Sequence, residues 1–215
     1  MAQIFHAGHN SIARWSLPIL LVLVTGSLVA WDALHKSPYV RYTKVPLNQP
    51  VAFSHKHHTN MGIDCRYCHT TVEKAPSAGL PPTETCLACH SQVWNKSPLL
   101  DAVRASWFTG TAIPWTRVHK LPDFVYFNHA IHVNKGIGCA DCHGRVDQMA
   151  VVEQAQPLNM GWCLECHRNP VPNLRPLDQI TNMKWQPPAN QAEVGARLAK
   201  QYDVRARVSC TTCHR

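Results

Sequence analysis

Ten cysteines and five of the histidines recur in one short pattern, in which two residues separate paired cysteines and a histidine follows the second cysteine directly. Cys-x-x-Cys-His is the attachment signature of a c-type haem, because its thiols add to the porphyrin vinyl groups and its histidine ligates the iron. The pattern predicts five covalently bound haem c groups. The attachment cysteines and proximal histidines are Cys65, Cys68 and His69; Cys86, Cys89 and His90; Cys139, Cys142 and His143; Cys163, Cys166 and His167; and Cys210, Cys213 and His214.

Zinc sites and disulfide frameworks also use paired cysteines. Neither requires a histidine immediately after every second cysteine. All five pairs in this chain have that histidine, and no cysteine is left over. Covalent haem therefore explains the pattern better than zinc ribbons, zinc knuckles or disulfides.

The stretch that ends in the third motif repeats the stretch that ends in the first. Residues 53–69 read FSHKHHTNMGIDCRYCH and residues 127–143 read FNHAIHVNKGIGCADCH, and the two align without gaps. Phenylalanine, two histidines, asparagine, glycine and isoleucine match outside the attachment motif, which identifies an internal repeat. Because a second motif follows each copy, each repeat is expected to hold two haems.

The repeat histidines are the leading candidates for distal iron ligands. Two of them stand three residues apart in each copy, so one helical turn would place both imidazoles on the same side. His119 is predicted as a fifth distal ligand, with Met160 and Met183 as alternatives because a thioether can also ligate haem iron. His57 aligns with Ile131 and is expected to be a surface residue. The four predicted repeat ligands are His55, His58, His129 and His132.

Residues 15–31 form an uncharged apolar run, WSLPILLVLVTGSLVAW, with tryptophan at both ends. Its length is at the lower edge of a membrane span, and its tryptophans suit the two interfaces. A cleaved signal peptide is the alternative, but no Ala-x-Ala site follows the run. We therefore expect a single uncleaved transmembrane helix in a bacterial inner membrane. Since covalent haem attachment takes place on the outer side of that membrane, the haem domain is expected on the periplasmic side.

The distribution of motifs and prolines predicts five regions along the chain. A short helix is expected over Leu99–Phe108, and another from Asn190 to about Arg207. Residues 32–51 contain three prolines and are expected to be extended. The expected regions are a cytoplasmic N-terminus and transmembrane helix at 1–34, a linker at 35–50, a first two-haem repeat at 51–117, a second two-haem repeat at 118–170, and a C-terminal helix with the fifth haem at 171–215.

Composition limits both the fold class and the partners. Hydrophobic residues make up 45% of the chain, but many lie near the N-terminus, and the chain contains 16 prolines. We expect a mainly α fold with long irregular loops and little or no sheet: an N-terminal transmembrane helix plus a multihaem cytochrome c domain with a haem-packed core. The formal net charge is +8, which haem propionates and ferric centres would bring to about +3. No basic helix carries interleaved aromatics, so a nucleic-acid partner is not expected.

The repeat resembles a known family. A Phe-x-His-x-x-His stretch leading into Cys-x-x-Cys-His is similar to the class III multihaem cytochromes c, over residues 53–90 and 127–167. In that family one of the two spaced histidines serves the nearest haem and the other serves a neighbour. The resemblance implies the following distal ligands: His55 for the iron of His69, His129 for the iron of His143, and His58 and His132 for other haems.

The whole layout resembles the pentahaem cytochrome c subunit of alternative complex III. The segments VHKLPDFVYFNHAIHV and LNMGWCLECHR are also similar. The resemblance implies an electron-transfer subunit with no catalytic residues of its own. It implies iron–sulfur and polytopic quinol-binding membrane subunits in the same complex. The acceptor would be a monohaem cytochrome c, another periplasmic carrier or a terminal oxidase.

Two other functions stay open. A multihaem reductase would need one iron without a distal ligand, and the fifth distal position has no counterpart in the repeat. A membrane-anchored quinol dehydrogenase of the tetrahaem type also has one N-terminal span. Those proteins lack the duplicated Phe-x-His-x-x-His layout, and their first haem lies close to the membrane. The long stretch between Trp31 and Cys65 argues against that arrangement in this chain.

Overall fold

The computed structural model describes residues 6–37, 40 and 42–214. The chain separates into two units, residues 1–42 and residues 43–215. The first unit consists largely of one long helix, whereas the second is a set of short helices and loops that carries all five attachment motifs.

Helix α1, Ala7–Lys36, is the main element of the first unit. Its 30 residues make it about 45 Å long, and its length and composition suffice to cross a membrane. Hydroxyl groups within it donate to carbonyls one turn earlier, from Thr25 Oγ1 to Leu21 O at 2.8 Å and from Ser27 Oγ to Leu23 O at 2.6 Å. Such internal bonds satisfy hydroxyls that a hydrocarbon environment would leave without water.

Helix α1 is longer than the apolar run in the sequence. It continues to Lys36, where Lys36 Nζ pairs with Asp32 Oδ2 at 2.7 Å across one turn. The first residues of the segment that was expected to be extended are therefore helical. Pro18 lies inside the helix. Its ring nitrogen cannot donate to the carbonyl of Arg14, so the helix lacks one internal bond there.

The second unit is built from short helices joined by irregular loops. Its β pairing, within the described residues, consists of two isolated bridges, one between Thr43 and Gln154 and one between Ile137 and Leu174. The mainly α prediction with little or no sheet is confirmed. The α-helices are α2 (His55–Asn60), α3 (Cys65–Cys68), α4 (Thr83–His90), α5 (Asp101–Thr109), α6 (His129–Asn134), α7 (Cys139–His143), α8 (Met160–Arg168), α9 (Gln191–Gln201) and α10 (Cys210–Cys213), and 3-10 turns cover Pro98–Leu100, Val146–Gln148, Val171–Asn173 and Leu177–Gln179.

The helix predicted over Leu99–Phe108 is confirmed as α5, which a 3-10 turn precedes. Leu100 and Val103 from this region are buried with Val51, and Phe53 and Trp115 pack against them. This small apolar cluster fixes α5 against the beginning of the first repeat. Its burial removes apolar surface from water, which is the main stabilising contribution available to such short elements.

The C-terminal helix α9 begins directly after Asn190, as predicted, although the Asn190 side chain makes no capping hydrogen bond. The helix ends at Gln201 rather than near Arg207. Asp203 has a φ of 47°, a left-handed backbone conformation that stops helix propagation. The fifth attachment motif therefore lies on a separate short helix, α10, and not at the end of α9.

Candidate haem-binding sites

Each attachment motif lies on a helix or ends one. Helices α3, α7 and α10 begin at the first cysteine of their motifs, whereas α4 and α8 carry theirs further along. Asp64 caps α3, since its carboxylate accepts a hydrogen bond from Arg66 N at 2.8 Å. Cysteines three positions apart on a helical turn share one side, as attachment to one porphyrin edge requires. All ten thiols are free of disulfides.

Four of the five proximal histidines are oriented in the same way. The Nδ1 atom of each lies within hydrogen-bond distance of a backbone carbonyl, which selects the tautomer with hydrogen on Nδ1 and a lone pair on Nε2. An oriented imidazole with a free Nε2 is the arrangement found at metal-ligating histidines. The Nδ1–carbonyl pairs are His69 with Gly79 O at 2.8 Å, His90 with Val93 O at 2.9 Å, His167 with Arg207 O at 2.8 Å and His214 with Phe124 O at 3.1 Å.

Three of the four repeat histidines show the same orientation. His58 Nδ1 lies 2.9 Å from Ser54 O and His132 Nδ1 lies 2.7 Å from Asn128 O, at equivalent positions of α2 and α6. His129 Nδ1 lies 2.8 Å from Pro76 O. These contacts also leave Nε2 of each ring available. The fourth, His55, has a buried Nδ1 without a hydrogen-bond partner.

A phenylalanine holds the two histidines of each repeat in matching positions. Phe53 stacks on His58 with ring centroids 4.5 Å apart and meets His55 edge-on at 4.8 Å. The second copy reproduces this geometry around Phe127, where the corresponding distances are 4.4 Å to His132 and 4.7 Å to His129. The repeat in the sequence is therefore a repeat of ring geometry, and the shared phenylalanine is the residue that fixes it.

Three of the histidines predicted as distal ligands face histidines of the attachment motifs, at ring distances that are nearly equal. A metal–imidazole bond is about 2 Å long and the bonded nitrogen lies about 1 Å from the ring centre, so two imidazoles on opposite faces of one iron have centroids about 6 Å apart. The residues present therefore fit an iron held between two imidazoles. The centroid distances are 6.1 Å for His58 and His90, 6.3 Å for His129 and His143, and 6.0 Å for His132 and His167.

Burial keeps several of these imidazoles neutral, which is the form that ligates iron. Desolvation, together with the charge of the neighbouring His119, lowers the pKa of His143 to about 3. Desolvation also lowers the pKa of His55 to about 4, with a smaller contribution from His69. The His132 pKa is lowered by burial as well. His55 and His69 are thus electrostatic neighbours, as expected of ligands to one iron.

The fifth distal ligand stays a prediction. His119 lies against His143, with its Nε2 3.1 Å from His143 Nδ1 and ring centroids 4.3 Å apart. Among the described residues, no ring contact or hydrogen bond joins His119 to His214. Met160 is 67% exposed on the first turn of α8, whereas Met183 is 8% exposed. The exposed thioether is thus the more accessible of the two alternatives. His57 is exposed, as its alignment indicates.

The first and third attachment motifs lie side by side. The neighbouring Cys139 thiol lowers the pKa of Cys65 to about 7, and Cys65 together with burial raises the pKa of Cys139. Around them, Cys139 N donates to Ile180 O at 3.1 Å and Thr181 Oγ1 donates to Asp64 Oδ2 at 2.9 Å. Residues 180–181 therefore connect the two repeats at their first motifs.

A buried arginine beside the third motif was not singled out by the sequence analysis. Arg175 is 2% exposed, pairs with Asp141 and places its guanidinium 4.4 Å from the centre of the Trp185 ring. The guanidinium lies directly against Gly138, where a Cβ atom would overlap it. A proline-rich segment with one arginine gives no periodic signal that would have revealed this contact. Through these contacts Arg175 attaches the loop that precedes α9 to helix α7, which carries Cys139.

Two protein-family models match separate parts of the chain. The class III cytochrome c family matches residues 32–106, which include the first two motifs. The family of cytochrome c7 and related cytochrome c matches residues 125–215, which include the other three. The resemblance to multihaem class III cytochromes c is confirmed at these regions, and with it the expectation of covalently bound haem c.

The chain is also similar to the multiheme cytochrome c subunit of a menaquinone reductase from Nitratidesulfovibrio vulgaris (strain Hildenborough). The two are 35% identical over 138 residues, which are 63% of this chain and 62% of the relative. The matched part therefore spans less than two thirds of that relative's length.

Proposed function

We propose that the protein is a membrane-anchored pentahaem cytochrome c that relays electrons in quinone-linked respiration. The single observation that carries this proposal is the set of three histidine pairs with ring centroids 6.0 to 6.3 Å apart. The five attachment motifs support the count of five haems, and the similarity to a menaquinone reductase subunit supports the link to quinone.

The proposed role of the protein residues is to close the iron coordination and to fix it. Haem c bound here would supply one-electron chemistry. If two imidazoles hold an iron, as proposed here, they would leave no open position for a substrate. Backbone carbonyls at Nδ1 hold the imidazole orientation, and the two phenylalanines restrict ring rotation. Such fixed coordination favours electron exchange because little reorganises when the oxidation state changes.

The distal ligands we propose are His55 toward His69, His58 toward His90, His129 toward His143 and His132 toward His167. The first rests on electrostatic proximity and burial, and the other three on the ring distances. Together they would close four irons. His119, Met160 and Met183 are the candidates that the sequence offers for the iron of His214.

The proposed setting is a bacterial inner membrane, with helix α1 as a single-pass anchor and the haem unit on the periplasmic side. The partners we propose are iron–sulfur and polytopic quinol-binding membrane subunits of one complex, as in alternative complex III. A monohaem cytochrome c or a terminal oxidase would accept the electrons. The relative is a subunit of a menaquinone reductase, which would deliver electrons to quinone. The experiment below must therefore also determine whether electrons flow from quinol to this subunit or from this subunit to quinone.

A second candidate function has one observation in its favour. His119 lies against His143 and makes no described contact with His214, so the site of the fifth motif has no imidazole partner among the described residues. An open iron there would allow small-molecule reduction, as in a multihaem reductase. Carbon monoxide separates the two functions, because it binds a reduced iron that has an open position.

The test uses the full chain extracted in mild detergent together with its bound partners. For the relay, we expect a menaquinol analogue to reduce the haems and carbon monoxide to leave the reduced absorption spectrum unchanged. Partner subunits should co-migrate with the haem stain. Haems that no quinol reduces, and that no quinone analogue oxidises once they are reduced, would contradict the link to quinone. Carbon monoxide binding at one haem would favour the reductase.

A further inference from the structure

We propose that the five haem sites form a single line in the order second, first, third, fourth, fifth, numbered by their motifs along the chain. The sites of His90 and His214 would then be the two ends at which electrons enter and leave. This inference rests on the proposed electron relay and adds the order of its sites. It follows from which helices and attachment motifs the described residues bring together.

The second site adjoins the first through helix α2. This helix places His58 opposite His90, at 6.1 Å between ring centroids, and also carries His55, the ligand proposed for the iron of His69. Two iron sites served by one six-residue helix must be neighbours. The first motif begins at Cys65, directly after the turn that follows this helix.

The third site adjoins the fourth through helix α6 in the same manner. His129 faces His143 at 6.3 Å and His132 faces His167 at 6.0 Å, measured between ring centroids. The two repeats therefore contain equivalent pairs of sites, second with first and fourth with third.

The two pairs join through their first motifs. Thr181 Oγ1 donates to Asp64 Oδ2 at 2.9 Å, directly before Cys65, and Cys139 N donates to Ile180 O at 3.1 Å, so residues 180–181 hold the first and third motifs next to each other. Two hydrogen bonds join helix α6 to the loop after the first motif. Asn134 Nδ2 donates to Glu73 O at 2.9 Å, and His129 N donates to Pro76 O at 3.0 Å. Helix α2 packs against the 3-10 turn Val146–Gln148 of the second repeat. In the described part of the chain no hydrogen bond joins α4, which carries the second motif, to the second repeat, and this leaves the second site at one end.

The fifth site adjoins the fourth. His167 Nδ1 lies 2.8 Å from Arg207 O, three residues before the fifth motif. Tyr126 N donates to Cys213 O at 2.8 Å, which ties α10 to the segment leading into α6. The fifth site is therefore placed beyond the fourth, at the other end of the line.

The test compares an end site with an internal site through matched substitutions, His58→Met and His132→Met. A thioether in place of an imidazole raises the reduction potential of that iron, so dithionite added stepwise to the oxidised full-length protein should reduce it first. A reduced low-spin haem is diamagnetic and no longer broadens the electron paramagnetic resonance signals of its neighbours. The first reduction step should sharpen one remaining signal in the His58→Met variant and two in the His132→Met variant.

Equal numbers of sharpened signals in the two variants, or the reverse numbers, would overturn the order. If the methionine does not bind, the altered iron becomes high-spin, and its high-spin signal identifies the altered site. The number of neighbouring signals that change should still be one in the His58→Met variant and two in the His132→Met variant. Failure of the order is distinguishable from failure of the relay. In the first case five low-spin haems that quinol can reduce are still present, whereas in the second they are not.

Discussion

His132 and His167 face each other with ring centroids 6.0 Å apart, although 34 residues separate them in the sequence. His58 and His90 repeat this relationship at 6.1 Å. In both pairs the distal ring is stacked on a phenylalanine and the Nδ1 atoms of both rings lie near backbone carbonyls. The same arrangement of rings is thus built twice from the same local sequence.

Substitution of His132 by alanine should open one iron without releasing haem, because attachment uses only the cysteines and the proximal histidine. We expect all five haems to stay bound and one iron to change from low-spin to high-spin, or to bind water. Resonance Raman spectroscopy of the oxidised protein measures this change. His57→Ala is the matched control, since His57 is exposed and should leave every iron low-spin. Five unchanged low-spin haems in the His132→Ala variant would exclude His132 as a ligand.

Gly138→Ala should destabilise the second unit. A Cβ atom at this position would overlap the guanidinium of Arg175, which is itself fixed by Asp141 and Trp185. We expect a loss of about 1 to 3 kcal/mol in the free energy of unfolding, as for other overpacked buried sites. Thermal unfolding followed by circular dichroism checks it. Gly161→Ala serves as the control, because a Cβ atom there meets only the Asn159 Oδ1 atom, at 3.4 Å; an unfolding temperature equally low in both variants would contradict the packing argument.

Asp64→Asn should remove part of the acid sensitivity of folding. The hydrogen bond from Arg66 lowers the pKa of the Asp64 carboxyl to about 2. Because this pKa is below the unfolded value of about 3.9, the carboxylate stabilises the folded protein above about pH 4, and that contribution is lost as the pH falls toward 2. Asp64 is 42% exposed, so solvent screening limits the effect to about 1 kcal/mol.

The measurement for Asp64 is denaturant unfolding of both proteins at several pH values between 2 and 6. The Asp64→Asn variant should lose stability less steeply on acidification than the unchanged protein. Thr181→Val removes only the hydroxyl that donates to the same carboxylate, and should produce a smaller change. Identical pH dependence for the unchanged protein and Asp64→Asn would show that the ion pair does not contribute.

Removal of residues 1–36 behind a cleavable export signal should give a soluble haem protein. Helix α1 presents its apolar side chains outward along the whole run, with Leu17 73% exposed, whereas the second unit contains all five attachment motifs. Ultracentrifugation of lysed cells, with haem staining of both fractions, measures the distribution. A truncated protein that stays in the membrane pellet would mean that another part of the chain or a partner holds it there.

The local features of the fold were predictable because they depend on short sequence periods. A histidine spacing of three residues predicts the shared face of α2 and of α6, and both helices are present. The contact between His119 and His143 was not predictable, because it joins residues 24 positions apart. The junction of Cys65 with Cys139 and the burial of Arg175 likewise depend on how loops pack. The end of α9 at Gln201 was missed because one left-handed residue, Asp203, stops it.

Near-infrared magnetic circular dichroism of the oxidised protein tests the central claim most directly, because the position of its charge-transfer band differs between bis-histidine and histidine–methionine coordination. An intact mass that exceeds the polypeptide by five haems should accompany it. The account predicts bis-histidine coordination at four irons, those of His69, His90, His143 and His167. A spectrum dominated by high-spin iron, or by histidine–methionine bands, would contradict it.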